Sequence, residues 1–176
     1  MRAKIEITRE DIAKLPVDAI VNAADSSMSG CAGVDEAIRR AAGPELLAEC
    51  RRLEGCEPGE TKITLGYLLP AEWVIHTVGP VWQGGHHGEA DVLASCYINS
   101  LSLAAQRRAK SIAFPAIGCG AHGYPPLEAA IVAVGAIRAF LKHDTILERV
   151  LLCCFTDEVA RAFAEALASP MRTTPE

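Results

Sequence analysis

The sequence predicts an α/β domain in which helices cover both faces of a central sheet. Apolar segments with strand character alternate with helical ones along nearly the whole chain. The strand segments AIVNAA and VLLCCF are apolar at almost every position, the pattern of strands buried on both faces. At 176 residues the chain is long enough for one substantial core and too short for two full-sized ones.

Taken in order, Lys4 to Ile7 alternates polar and apolar residues and reads as a strand with one wetter face. Asp18 to Ala24 reads as a buried strand. A loop of small residues, DSSMSGCAG, leads to a helix over Val34 to Ala42. Gly43-Pro44 interrupts that helix, PELLAECRRL resumes it, and Gly55 closes it. Thr61 to Leu65 and Trp73 to Val78 read as two strands, and GPVWQGGHHGE follows as a glycine-rich loop with the freedom to move. A helix is expected from about Ala90 to Ala109, its apolar stripe formed by Leu93, Cys96, Tyr97, Leu101 and Ala104. Ser111 to Phe114 is a strand, LEAAIVAVGAIRAFL a helix, Arg149 to Phe155 the last strand and DEVARAFAEAL the last helix. The domain is expected to span residues 1–168, with a polar, frayed tail over 169–176.

Composition removes several classes of function. Half the residues are hydrophobic and 22% are charged, as in an ordinary globular chain. A net charge of −5 disfavours broad nucleic-acid binding, which needs a basic surface, yet leaves room for a small phosphorylated ligand held by backbone N–H groups. No apolar run reaches the length of a membrane span, and MRAKIEIT lacks the core of a signal peptide, so the cytoplasm is the expected setting. Seven scattered cysteines without a C-x-x-C pair fit reduced thiols better than a disulfide framework or a metal site.

Two small-residue loops, each between a strand and a helix, are the candidate binding elements. The first is Ser29 to Asp35, where glycine and alanine permit close backbone approach and a helix start supplies N–H groups aimed at an anion. The second is Ala113 to Pro126, in which Gly118, Gly120 and Gly123 spell G-x-G-x-x-G after a strand. As a dinucleotide fingerprint it fails twice: Tyr124-Pro125-Pro126 delays the helix, and Asp144 precedes the next strand where an acidic residue should close it. The P-loop signature is missing as well.

The stretches VDAIVNAA, the loop ending GVD, AIRRAAGPELL, LPAEWVIHTVGPVW and AFPAI followed by GYP resemble the macrodomain family. Within it they are similar to the bacterial O-acetyl-ADP-ribose deacetylases and mono-ADP-ribosyl hydrolases, over roughly residues 4 to 165. The resemblance implies a three-layer α/β/α sandwich with a mixed, mostly parallel sheet, and ADP-ribose bound across the strand ends. It also implies hydrolysis of O-acetyl-ADP-ribose or of mono-ADP-ribosyl esters on proteins, with no cofactor and no metal. The alternative is an ADP-ribose reader without catalysis.

Residue by residue, the resemblance assigns Asp11 and Ile12 to adenine, although this chain has Glu10-Asp11-Ile12-Ala13 where the family has G-D-I-T. Asn22 belongs to the ligand site. Gly30, Cys31, Ala32, Gly33 and Val34 form the first phosphate loop, and Gly118, Cys119, Gly120, Ala121 and His122 the second. His122 stands where the family has an aromatic residue that packs on the ribose. Asp35 is the main catalytic candidate, positioned to orient or deprotonate a water. Asp25 replaces the second asparagine of N-A-A-N and Arg39 replaces a histidine one turn after Asp35. Asp25 is the second catalytic candidate. Should it and Asp35 both face the ribose, their like charges would raise one pKa, creating an acid–base pair or weakening the binding of an anionic ligand. Arg39 could offset the repulsion through an i,i+4 ion pair that draws Asp35 from base duty. Cys31 and Cys119 could face one another across the diphosphate. His76 reads as a core histidine, His86 and His87 as solvated.

Overall fold

In this computed structural model, residues 2–30 and 33–170 are described. They form β1 (Lys4–Thr8), β2 (Ala19–Ala23), α1 (Val34–Ala42), α2 (Pro44–Arg52), β3 (Thr61–Leu65), β4 (Trp73–Thr77), α3 (Glu89–Gln106), β5 (Ser111–Pro115), α4 (Pro126–Leu141), β6 (Arg149–Cys153) and α5 (Asp157–Ala168). A short 3-10 turn, Ile12–Lys14, follows β1.

The six strands make one sheet in the order β1-β6-β5-β2-β4-β3. All neighbours run parallel except β3, which pairs antiparallel with β4. Strand residues alternate between two cores, as a period of two requires. Val21, Ile75, Phe114 and Leu152 point to the layer of α3, α4 and α5. Ile20, Val74, Ala113 and Leu151 point to the layer of α1, α2 and the 3-10 turn. The result is the three-layer sandwich with a mixed, mostly parallel sheet.

Most boundaries fall within a residue of the expectation, and three differences have a visible cause. The α3 helix stops at Gln106 because Arg108 turns into the left-handed region (φ 58°) while the Arg107 guanidinium lies 4.9 Å from the centre of the Trp73 ring. The α2 helix ends at Arg52, before the positive-φ pair Glu54 and Gly55. The last strand stops at Cys153, and Phe155 is 60% exposed beyond it. Of the expected tail, residues 171–176 lie outside the described residues.

The sheet itself creates the site. Neighbouring strands β2 and β5 lead to helices on opposite faces, α1 on one and α4 on the other, so their connections diverge. They pair only through Ala19 with Ile112 and Ile20 with Ala113, at their amino ends. Beyond that point the strands part, and a crevice opens between their carboxyl ends.

Candidate active site

A cavity of about 790 Å³ occupies this crevice. Its walls come from the end of β2 (Ala23, Ala24, Asp25), the start of α1 (Gly33, Val34, Ala37), the loop after β5 (Pro115 to His122) and the segment after β6 (Cys153, Phe155, Thr156), with Gly79 and Val159. A shallower depression of about 590 Å³ beside β1 and α5 is crossed by the Arg9–Asp157 ion pair and receives neither glycine loop.

The second loop is shaped to present backbone. Gly118 has φ 83°, and a Cβ there would meet the Cβ of Tyr124 at 3.3 Å, so glycine is required. Within the turn Tyr124 N–H donates to the Gly118 carbonyl at 2.9 Å and Gly123 N–H to Gly120 at 3.0 Å. Among the described residues these turn bonds leave the N–H groups of Gly120, Ala121 and His122 unused. Opposite them α1 begins at Val34, where a helix start presents its first-turn N–H groups and the positive end of its dipole. Two sets of amide donors thus face one cleft, the arrangement that suits a diphosphate.

Asp35 is buried (4% exposed), and its carboxylate is clamped. The Asn22 amide Nδ2 donates to Oδ1 at 2.6 Å, and Arg39 Nε donates to Oδ2 at 3.2 Å, one helical turn on. The Arg39 guanidinium also packs against Gly30, where φ is 107° and any Cβ would collide with it. Asp25 lies apart from this clamp, on the cavity wall, with Ser27 Oγ donating to its Oδ1 at 2.6 Å. Each carboxylate has its own donors.

The expected site residues therefore divide. Asp25, Gly33, Val34, Gly118, Cys119, Gly120, Ala121 and His122 line the cavity. Asn22 and Asp35 are not among its lining residues; they are buried, in contact with each other. Asp11 caps the 3-10 turn, accepting from Ala13 N–H at 3.0 Å through Oδ1. Its charge still reaches the Cys153 thiol on the wall, which burial, Cys154 and then Asp11 push up to about 12. Ile12 is buried in the core beneath. Cys31 and Ala32 lie outside the described residues, and with them the pairing of Cys31 and Cys119. Burial raises the Cys119 thiol to about 11, so it stays protonated at neutral pH. No cluster of metal-ligating side chains occurs among the described residues.

Three features escaped the sequence. Phe155 offers an exposed aromatic face at one end of the cavity. His122 joins two loops: its Nδ1 lies 3.1 Å from the Pro80 carbonyl, and its own carbonyl accepts from Trp82 N–H at 2.9 Å. Trp82 in turn packs on Tyr124, ring centres 4.6 Å apart. The loop expected to be free is gathered by Glu89, which accepts from the N–H groups of Gly85 and His87 at 2.6 Å each and of Gln83 at 3.3 Å. Burial opposes ionisation of Glu89, but these donors outweigh it and hold its carboxyl below the usual value. His86 and His87 are exposed, as expected.

A family model described as Macro domain matches residues 21–133, the segment that runs from the end of β2 through both glycine loops into the first half of α4. The chain belongs to the Macro domain family. An O-acetyl-ADP-ribose deacetylase of Klebsiella pneumoniae is 52% identical over 173 residues, covering 96% of this chain and 99% of that protein. A macro domain-containing protein of Chlorobaculum tepidum is 54% identical over 165 residues, 94% of this chain and 96% of the relative. Among solved structures, a Trypanosoma brucei macrodomain in complex with ADP-ribose superposes with a TM-score of 0.88 at 40% identity, over 93% of this chain and 69% of that one. Within this macrodomain Asp25, Cys119 and His122 line the crevice, and Arg39 pairs with Asp35. No helix among its described residues is long and apolar enough to cross a membrane.

Proposed function

We propose that this macrodomain binds ADP-ribose along the crevice and hydrolyses O-acetyl-ADP-ribose or mono-ADP-ribosyl esters on proteins. The observation that carries the binding half is the convergence of two sets of backbone N–H donors, at Gly120 to His122 and at the start of α1, on one cavity between β2 and β5. The diphosphate lies between them, which orients the rest of the ligand. Adenine goes to the end bounded by Phe155 and Cys153, within reach of Asp11; a purine stacks there on the exposed ring. The distal ribose goes to the other end, at Asp25 and Val34.

For ester hydrolysis the chain must orient a water against an acyl carbon and stabilise the charge that develops on its oxygen. Asp35, its plane fixed by Asn22 and Arg39, orients the water or the neighbouring ribose hydroxyl. The unused N–H groups of the second loop supply positive potential. The names of relatives such as the Klebsiella deacetylase support the same chemistry. The cysteines are free thiols among the described residues, which suits a reducing cytoplasm.

A reader without catalysis is the second candidate, favoured by one observation: both oxygens of Asp35 already accept hydrogen bonds. Calorimetry with ADP-ribose, NAD and AMP, followed by turnover of O-acetyl-ADP-ribose by the wild type and Asp35→Ala, decides between them. Binding of ADP-ribose with turnover lost in Asp35→Ala is the expected result. Binding without turnover in the wild type makes the protein a reader, and no measurable binding overturns both.

A further inference from the structure

Behind Asp35 a chain of buried polar groups runs across the sheet to β3. Asn22 on β2 and His76 on β4 are register partners, and Thr64 on β3 lies diagonally beyond, all three turned toward α1 and α2. Asn22, His76 and Thr64 are each at most 2% exposed. Asn22 Nδ2 reaches both Asp35 Oδ1 at 2.6 Å and His76 Nδ1 at 3.1 Å; His76 Nε2 reaches Thr64 Oγ1 at 2.9 Å; and Thr64 Oγ1 donates to the Leu65 carbonyl at 3.2 Å. The Cys50 thiol sits 3.7 Å from Nε2, and burial keeps it protonated.

The chemistry of the partners dictates every proton in this chain. An ionised Asp35 can only accept, so the Asn22 atom facing it is the NH2 group. The same nitrogen faces His76, so Nδ1 must be bare, and the imidazole proton sits on Nε2, donated to Thr64. Thr64 can accept it because its own hydroxyl proton is spent on Leu65. Among the described residues the Asn22 Oδ1 is buried without a partner, so the amide's orientation rests on the donor side alone.

We propose that His76 is a positioning residue of this site: its neutral imidazole, held as the Nε2–H tautomer by Thr64, keeps the Asn22 NH2 group turned toward Asp35 and so fixes the carboxylate for catalysis. The opposite tautomer would present a donor to Asn22 and favour rotation of the amide, which brings an oxygen against the Asp35 carboxylate. The burial that holds His76 down to about pKa 4 keeps it neutral across the physiological range. The proposal rests on the hydrolase function above, but its first test does not.

The nitrogen-15 spectrum of the wild-type imidazole reports the tautomer directly: a bare Nδ1 and a protonated Nε2 are expected for His76, and a protonated Nδ1 overturns the proposal whatever the enzyme's activity. Thr64→Val, nearly the same shape, removes the acceptor of the Nε2 proton. It should lower kcat on O-acetyl-ADP-ribose by about tenfold with KM nearly unchanged, and an unchanged kcat overturns the proposal. His76→Asn, which returns an amide oxygen near the Nδ1 position, should retain more kcat than His76→Leu at comparable thermal stability; equal losses argue for mere packing and overturn it. A wild-type protein without turnover sinks the hydrolase function instead, and the tautomer still decides the geometry.

Discussion

Replacing Asp35 by asparagine separates its charge from its shape. The amide oxygen can accept from Asn22 or from Arg39, but not from both through two carboxylate oxygens, so one charge-assisted hydrogen bond is lost. Such bonds contribute about 1.5–3 kcal/mol. The Arg39 side chain is 23% exposed and recovers some hydration, which sets the cost near 2 kcal/mol, less than breaking a fully buried pair. For a chain of this size that is a fall in Tm of about 4–8 °C. Calorimetric unfolding of the wild type, Asp35→Asn, Arg39→Met and the double variant measures it, and the cycle isolates the coupling. Turnover should fall by about a hundredfold or more, the range for removal of a positioned acid–base group. A Tm within about 1 °C of wild type, or a coupling near zero, would show that the clamp seen in the structure does not hold the carboxylate.

Phe155→Ala should weaken ADP-ribose and AMP alike by about tenfold, as expected from lost base stacking, with no change in Tm because the ring is exposed; selective loss of ADP-ribose would move adenine elsewhere. Asp25→Asn removes a wall carboxylate facing a doubly anionic ligand. At about 8 Å in water each charge pair costs about 0.5 kcal/mol, so affinity measured at low salt should rise about threefold or more, and a lower affinity would mean that the ligand uses the carboxylate. His76 is lowered by burial, against the pull of Asp35, to about 4 from an unfolded value near 6.5. Between those limits the unfolded chain binds the extra proton. Stability should thus be full above about pH 6.5 and fall by about 3 kcal/mol on descending to pH 4, then level; urea titrations of the wild type and His76→Asn should differ by that slope, and parallel curves would show His76 to be charged in the folded state.

The inner strands β2, β4, β5 and β6 were legible because a sheet buried on both faces demands largely apolar runs, and the edge strands β1 and β3 from polar residues alternating with apolar ones. The glycine loops were legible for a similar local reason: small residues between a strand and a helix mark close backbone approach. Asn22, His76 and Thr64 were not legible as a unit, since their alliance depends on strand register across 42 and 12 intervening steps of sequence, |22−64| and |64−76|. Phe155 was hidden by its neighbours, being the end of an apolar run whose ladder stops two residues earlier. Glu89 looked like any acidic helix start, and only the path of the loop shows that it collects three backbone donors. The Arg39–Asp35 pair was the reverse case: i,i+4 spacing put it within reach, and it is present at 3.2 Å.

The packing of Arg39 on Gly30 couples the glycine loop to the helix that carries the acid. A side chain at residue 30 is incompatible with the guanidinium, and a shorter residue at 39 would leave the loop unsupported while also releasing Asp35. One guanidinium therefore braces both a glycine-loop residue and the acid, so in this chain a change at position 39 disturbs loop and carboxylate together.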